Sequence, residues 1–227
     1  MTTPIICWLP GWASDFSLWK GLIESRYPNA IHRLVPYSKM LLHRDCLETL
    51  PELQGVSLVI GWSLGSLLAF QTAPRLPKGV PLLAICPVGW FCHPELGWAP
   101  RVVLRMANKL LQDPRAVLTS FAEQMGPAPA EEKSAWIAQA LQIPIPDLVL
   151  GLEILATPSV NHLQRLAQDR NISLLCGNQD PVVSPDLSLW LKGEIRPQSF
   201  CLSEGMSHWP FSVKWTIAQG ELLHLPQ

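Results

Sequence analysis

The run Val59-Ile60-Gly61-Trp62-Ser63-Leu64-Gly65-Ser66-Leu67-Leu68-Ala69-Phe70 constrains the fold of this chain more than any other segment. An apolar stretch that halts at a glycine and resumes as an apolar helix describes a buried strand entering a helix through a very sharp turn. A serine at the apex of such a turn sits in strained backbone. The positions two before and two after it must be small, because neighbouring backbone closes on them. Gly61 and Gly65 meet that need. The turn also aims the N-terminus of the helix at the serine, so the Leu64 amide and the helix dipole can stabilise negative charge developing beside Ser63.

Other apolar runs carry the same strand signal: Ile5–Leu9, Ile31–Val35, Val56–Ile60, Leu82–Cys86, Ile172–Cys176 and Ser199–Leu202. They alternate with helix-like stretches, which predicts an α/β fold with a mainly parallel sheet flanked by helices. The rhythm breaks between Gly97 and Asp169, where Arg101–Gln112, Ala116–Gln124, Ala130–Leu141 and Asp147–Leu155 carry helical spacing and no strand stands out. Pro114, Pro127, Pro129, Pro144, Pro146 and Pro158 mark the joints, since proline is poorly tolerated inside helices. The expected organisation is one core from residues 1–96 and 170–227, with a helical cap at 97–169 inserted after the strand ending near Cys86. A chain of 227 residues, 48% hydrophobic and only 15% charged, suits one large core with such an insertion.

A net charge of -1 provides no overall field for nucleic acid or an anionic membrane. Cys7, Cys46, Cys86, Cys92, Cys176 and Cys201 contain no C-x-x-C pair and read as reduced thiols, several within buried runs. No metal-ligand cluster, phosphate loop or cofactor fingerprint is present, so no metal and no cofactor are expected. The N-terminal residues lack a basic leader, and no apolar run approaches the ~18 residues that span a bilayer. The expectation is a cytoplasmic monomer that binds neither nucleic acid nor membrane.

A serine hydroxyl needs an imidazole to activate it, and the imidazole needs a carboxylate to fix its tautomer. In strand-elbow-helix enzymes the chain order is serine, acid, histidine. Leu174-Leu175-Cys176-Gly177-Asn178-Gln179-Asp180 ends a strand on a glycine turn and presents Asp180 as the acid. Ser199-Phe200-Cys201-Leu202 is followed by a loop presenting His208 as the base, ahead of an expected C-terminal helix. His32, His43, His93, His162 and His224 lack that strand-loop context and are read as ordinary residues. The second oxyanion donor is assigned to the Trp12 amide in the loop after the first strand, where Gly11 allows close approach to Ser63. Trp12, Trp62 and Trp209 flank the proposed site residues, where they either wall an apolar pocket or pack in the core.

At Gly11-Trp12, Gly61-Trp62-Ser63-Leu64-Gly65, Gly177-x-x-Asp180 and His208-x-Pro-Phe211, the chain resembles the α/β-hydrolases that act as pimeloyl-acyl-carrier-protein methyl ester esterases in biotin synthesis. Gly151-Leu152-Glu153-Ile154-Leu155 extends the resemblance into the insertion. The resemblance implies hydrolysis of a methyl ester on a carrier-bound acyl chain. It also implies docking of an acidic acyl carrier protein through cap arginines. Arg101, Arg105 and Lys109 recur every four residues, with Arg115 just beyond, and form the candidate docking stripe; Glu131 and Glu132 would oppose it. Phe121 is placed in the acyl pocket. Two departures stand out: Pro10 where many relatives have His, and Ser66 where another glycine is common. Rival readings keep the fold: a general small-molecule carboxylesterase, a relative acting on a carbon–carbon bond, or a non-catalytic ligand-binding protein.

Overall fold

All six expected strands form: β1 (Ile5–Leu9), β2 (Ile31–Leu34), β3 (Leu58–Trp62), β4 (Leu82–Ile85), β5 (Ile172–Gly177) and β6 (Ser199–Ser203). They lie in one sheet of order β2-β1-β3-β4-β5-β6, and every neighbouring pair is parallel. The computed structural model describes residues 3–157, 163–209 and 211. The expected C-terminal helix, Pro158, His162 and His224 lie outside those residues. Burial explains why the strands were readable: β3, β4 and β5 are buried along their whole length, as strands covered on both faces must be, while β2 at the edge is partly exposed.

β3 runs two residues further than the expected Val56–Ile60. Gly61 and Trp62 still pair with Ala84 and Ile85, so the ladder continues to the residue before Ser63. Its start is delayed because Gly55, at φ 65, turns the chain just before Val56. β5 likewise reaches Gly177 because that residue pairs with Ser203.

In chain order the helices are α1 (Lys20–Arg26), α2 (Tyr37–Leu42), α3 (Leu64–Thr72), α4 (Pro100–Leu110), α5 (Pro114–Gln124), α6 (Ala130–Ala140), α7 (Ile145–Leu155), α8 (Leu163–Asp169) and α9 (Pro185–Ile195). Four of them, α4 to α7, fill the stretch expected to be helical, and a proline stands at or beside each start. Within this group α4 packs on α5 and α7, and α5 packs on α6. α8 packs against α9 and the 3-10 turn at Ala73–Arg75. Among the described residues no single helix is long and apolar enough to cross a membrane. α6 and α7 reach that only jointly, as a pair bent by 106°.

The strand order reverses beside β1: β2 lies on one side of it and β3 on the other. Loops that leave adjacent strands in opposite directions open a crevice at their carboxyl ends, where ligands bind in open α/β sheets. Gly11 and Trp12 follow β1 and Ser63 follows β3, so both border this crevice. α3 is buried from Leu64 to Phe70, which makes it a central helix with no solvent face.

Two glycines carry the turn. A Cβ at Gly61 would meet the Ser66 backbone at 2.8 Å, and one at Gly65 would run into the carbonyls of Leu9 and Pro10. Gly65→Ala is therefore expected to destabilise the protein by about 3 kcal/mol, because rigid backbone must yield on the β1 side. The denaturation midpoint checks this, and an unchanged midpoint would show that the turn has slack.

Candidate active site

Three loops meet above the sheet. Ser63 sits at φ 52 and ψ -115, a backbone conformation that L-residues rarely adopt. Its carbonyl is held by the Ser66 N–H at 2.9 Å, the Leu67 N–H at 3.2 Å and the Ser66 hydroxyl at 2.6 Å. The Ser66 hydroxyl also accepts the Val88 N–H at 2.9 Å, which ties the turn to the segment after β4. The departure from glycine at position 66 thus adds support to the strained turn. Besides Arg196, the non-glycine residues at positive φ among the described residues are Ala13, Ser63 and Cys86. All three follow the carboxyl ends of sheet strands around the crevice, the usual place for stored backbone strain.

The loops after β5 and β6 are locked to each other. The Asn178 N–H donates to Ser203 O at 3.0 Å, the Gln179 N–H to Met206 O at 3.0 Å, and the Gly205 N–H to Asn178 Oδ1 at 2.8 Å. Gly177 is needed here because a Cβ would collide with the Met206 carbonyl. These bonds set Asp180 beside His208, with Asp180 Oδ2 2.8 Å from His208 Nδ1. Asp180 Oδ1 accepts the Val182 and Val183 N–H groups at 2.8 Å each. His208 Nε2 lies 3.1 Å from Ser63 Oγ. With the imidazole proton on Nδ1, the ring donates to Asp180 and accepts from the serine hydroxyl, the arrangement a serine nucleophile requires. Asp180 and His208 are 3% and 1% exposed, so water does not weaken the pair.

Leu64 directly follows Ser63, Trp12 shares the wall of the cleft beside it, and among the described residues neither backbone amide donates to a protein acceptor. Leu64 is the first residue of α3, where helical N–H groups have no partner within the helix. Both amides are available to an oxyanion.

Beside Ser63 opens a cleft of about 300 Å³, open solvent included, and among the described residues on its wall Ser63 carries the one hydroxyl beside aliphatic and aromatic side chains. Trp12 and Phe121 line it, ring centroids 4.8 Å apart in an edge-to-face contact. α4 adds Val103 and Met106, α7 adds Leu152 and Leu155, and Phe91, Trp98 and Val182 complete it. The Gly-Leu-Glu-Ile-Leu run thereby gains a physical reason. Gly151 lets α7 close on the Tyr37 hydroxyl and the Trp12 ring, and Leu152 and Leu155 face the cleft.

Trp62 and Trp209 are not on the cleft wall, which decides between the two roles left open for them. Both are buried in an aromatic cluster with Trp19, whose ring lies 5.5 Å from Trp62 and 6.4 Å from Trp209. Their indole N–H groups donate to His208 O at 3.1 Å and Gly126 O at 3.2 Å. They hold the histidine loop in place. The His208 N–H itself donates to Met125 O at 3.0 Å, so the end of α5 clamps this loop as well.

Cys86 escaped sequence reading as a neighbour of the site. Its ligating atom and those of Asp180 and His208 lie within 4.8 Å of one another. Its thiol approaches the carbonyls of Ser207 and His208 at 3.7 and 3.8 Å. Burial, then the Asp180 charge, push it well above the ordinary thiol range, so it stays a neutral S–H packed behind the acid. All six cysteines are free, and burial likewise pushes Cys176 up to about 12.

The residues read as a candidate docking stripe stand on α4 and at the start of α5. Arg101, Arg105, Lys109 and Arg115 are exposed, and among the described residues none of them forms an ion pair. Glu132 was expected to oppose the stripe, but its Oε1 accepts the Trp19 indole N–H at 2.8 Å and serves the core. Of the remaining described histidines, His32 accepts the Trp8 indole N–H at 3.2 Å, His43 pairs with the Thr49 hydroxyl at 3.2 Å, and His93 packs between Trp90 and Trp190.

The backbone superimposes on the esterase EaEST from Exiguobacterium antarcticum with a TM-score of 0.75, covering 91% of this chain and 85% of that one at 13% identity. The chain has the α/β-hydrolase fold. No family model matches it. Among curated proteins, this chain is 25% identical over 229 positions to the pimeloyl-acyl-carrier-protein methyl ester esterase of Nitrosomonas europaea, covering 92% of this chain and 90% of that protein. It is 26% identical over 243 positions to the biotin biosynthesis bifunctional protein BioHC of Cellvibrio japonicus, covering 96% of this chain and 46% of that one. The chain thus spans about half the length of the bifunctional relative. It resembles the pimeloyl-acyl-carrier-protein methyl ester esterases, in line with the motifs read from the sequence.

Proposed function

We propose that this protein is a serine carboxylic-ester hydrolase that removes the methyl group from pimeloyl-acyl-carrier-protein methyl ester. The observation that carries the hydrolase reading is the hydrogen-bonded chain Ser63 Oγ, His208 Nε2, His208 Nδ1, Asp180 Oδ2, opening on an apolar cleft. In this reading His208 takes the Ser63 proton as Ser63 attacks the ester carbonyl, and the Leu64 and Trp12 amides receive the oxyanion. Methanol leaves with the proton returned by His208. Water, deprotonated by the same ring, then opens the acyl-enzyme and frees the carboxylic acid.

An uncharged polymethylene chain suits a wall of aliphatic and aromatic side chains, and a free carboxylate does not. A methyl ester therefore fits this cleft better than its own product. The carrier reading rests on the Nitrosomonas relative and on α4. Val103 and Met106 of that helix line the cleft, while Arg101, Arg105 and Lys109 are exposed beside Val102, Leu104 and Leu111. A basic and apolar surface one helix away from the acyl pocket is the chemistry an acidic carrier would meet.

The test compares carrier-bound pimeloyl methyl ester with free dimethyl pimelate. Efficient Ser63-dependent cleavage of the carrier-bound ester supports the reading; cleavage of small esters alone leaves a general carboxylesterase. Arg105→Glu is expected to raise KM for the carrier-bound substrate about tenfold while a p-nitrophenyl ester is cleaved at an unchanged rate. An equal KM for both proteins would remove α4 from docking.

A further inference from the structure

The Trp12 N–H acts as an oxyanion donor only if residue 12 is held still, and contacts traced to α6 and α7 hold its carbonyl and its side chain. The Trp12 carbonyl accepts the Ser14 hydroxyl at 3.1 Å. The Trp12 indole N–H donates to Leu148 O on α7 at 2.8 Å. Among the described residues the Trp12 N–H meets no protein acceptor, while the adjoining Trp12–Ala13 peptide is held at its oxygen and the Trp12 ring at its only polar atom. This restraint matters because Ala13 sits at φ 54, a conformation the chain would leave if released.

Ser14 is directed in turn by α6. The Trp136 indole N–H donates to Ser14 Oγ at 2.8 Å, and both residues are fully buried. An indole N–H can only donate, so Ser14 meets it with a lone pair and must turn its own proton toward the Trp12 carbonyl. The two bonds form one chain with a fixed direction, from α6 through Ser14 to the oxyanion loop. Residues 12 and 14 are 122 or more positions from 136 in sequence, and only the packed structure brings them together.

We propose that Ser14 and Trp136 are positioning residues for the Trp12 oxyanion donor, so that helix α6 sets the geometry of the transition-state site. The proposal rests on the ester-hydrolase reading above. Neither residue touches the cleft. Their effect is therefore exerted on the transition state and not on substrate binding.

The test uses the full chain with Ser14→Ala, Trp136→Phe and the double variant, each checked for fold by circular dichroism and melting temperature. Kinetics are read on p-nitrophenyl butyrate, together with inhibition by a trifluoromethyl ketone, which binds Ser63 as a tetrahedral oxyanion. Each single variant is expected to lower kcat by about 10- to 100-fold, short of the loss of a donor outright. KM should stay within about threefold, and the inhibition constant should rise in step with the loss in kcat. The double variant should be no slower than the worse single one, because the two residues act in series. Should Trp136→Phe fail to fold, Ser14→Ala decides alone, since it removes one hydroxyl. A folded Ser14→Ala protein with unchanged kcat and inhibitor affinity would overturn the proposal, as would parallel changes in kcat and KM that track a falling melting temperature. A wild-type protein without Ser63-dependent turnover would instead remove the hydrolase reading itself, so the two failures are distinguishable.

Discussion

Ser63→Ala is expected to lower kcat on any ester this protein cleaves by on the order of 10⁶-fold, the loss seen when a serine hydrolase is deprived of its nucleophile. The variant loses the only oxygen that His208 Nε2 can activate at 3.1 Å, while the backbone stays where three hydrogen bonds to the Ser63 carbonyl hold it. Melting temperature and circular dichroism should be close to wild type, because the deleted hydroxyl makes no bond on which the fold depends. The cleft and the two oxyanion amides survive, so a residual rate above that in water is expected. The decisive measurement is single-turnover release of p-nitrophenol: wild type should give a burst equal to the enzyme concentration and the variant none. A folded variant retaining more than about 1% of the rate would mean that another group attacks the ester.

Asp180→Asn should cost about 10⁴-fold in kcat with KM nearly unchanged, and the structure gives the direction of the effect atom by atom. Oδ1 of Asp180 accepts two backbone N–H groups, from Val182 and Val183. An asparagine must keep its carbonyl oxygen on that side, which places its NH₂ where Oδ2 now meets His208 Nδ1. Donor would then face donor unless the imidazole moves its proton to Nε2, the atom that has to accept from Ser63. The catalytic groups remain in place with the wrong tautomer. A variant with more than about a tenth of wild-type kcat would show that the histidine does not depend on Asp180 for its orientation. Cys86 cannot take over, because burial, the largest cause of its raised pKa, still keeps the thiol protonated once the Asp180 charge is gone.

The elements that sequence reading located well share one property: their signal is local. Strands buried on both faces read as unbroken apolar runs, and the observed bounds differ from the expected ones by one or two residues, as where pairing extends the ladder at Gly61-Trp62 and Gly177 and where β3 starts at Leu58. Ser63, Asp180 and His208 were legible because each follows a strand's carboxyl end in a turn marked by glycine or a polar loop. Prolines marked the starts of α4 to α7. The tryptophans were not legible in the same way. Trp12, Trp62 and Trp209 stand equally close to site residues along the chain, yet only Trp12 lines the cleft while the other two fasten the histidine loop. The role of an indole depends on which distant carbonyl its N–H reaches, and no local pattern encodes that. Ser66 was legible only as a departure from glycine, and its bonds to Ser63 and Val88 became visible only once the segment after β4 was in place.

By itself, then, the amino-acid sequence determined the parallel sheet, the strained serine turn with its two obligatory small neighbours, and the order of serine, acid and histidine. Each of these follows from periodicity and backbone sterics within a dozen residues. Tertiary structure alone decided that the three side chains meet at 2.8 and 3.1 Å, that α4 and α7 line the cleft, and that Trp136 reaches Ser14. The physical reason is that buried polar groups must find partners wherever packing brings them. In this protein many of those partners lie 80 to 150 residues apart along the chain, beyond the reach of any local pattern.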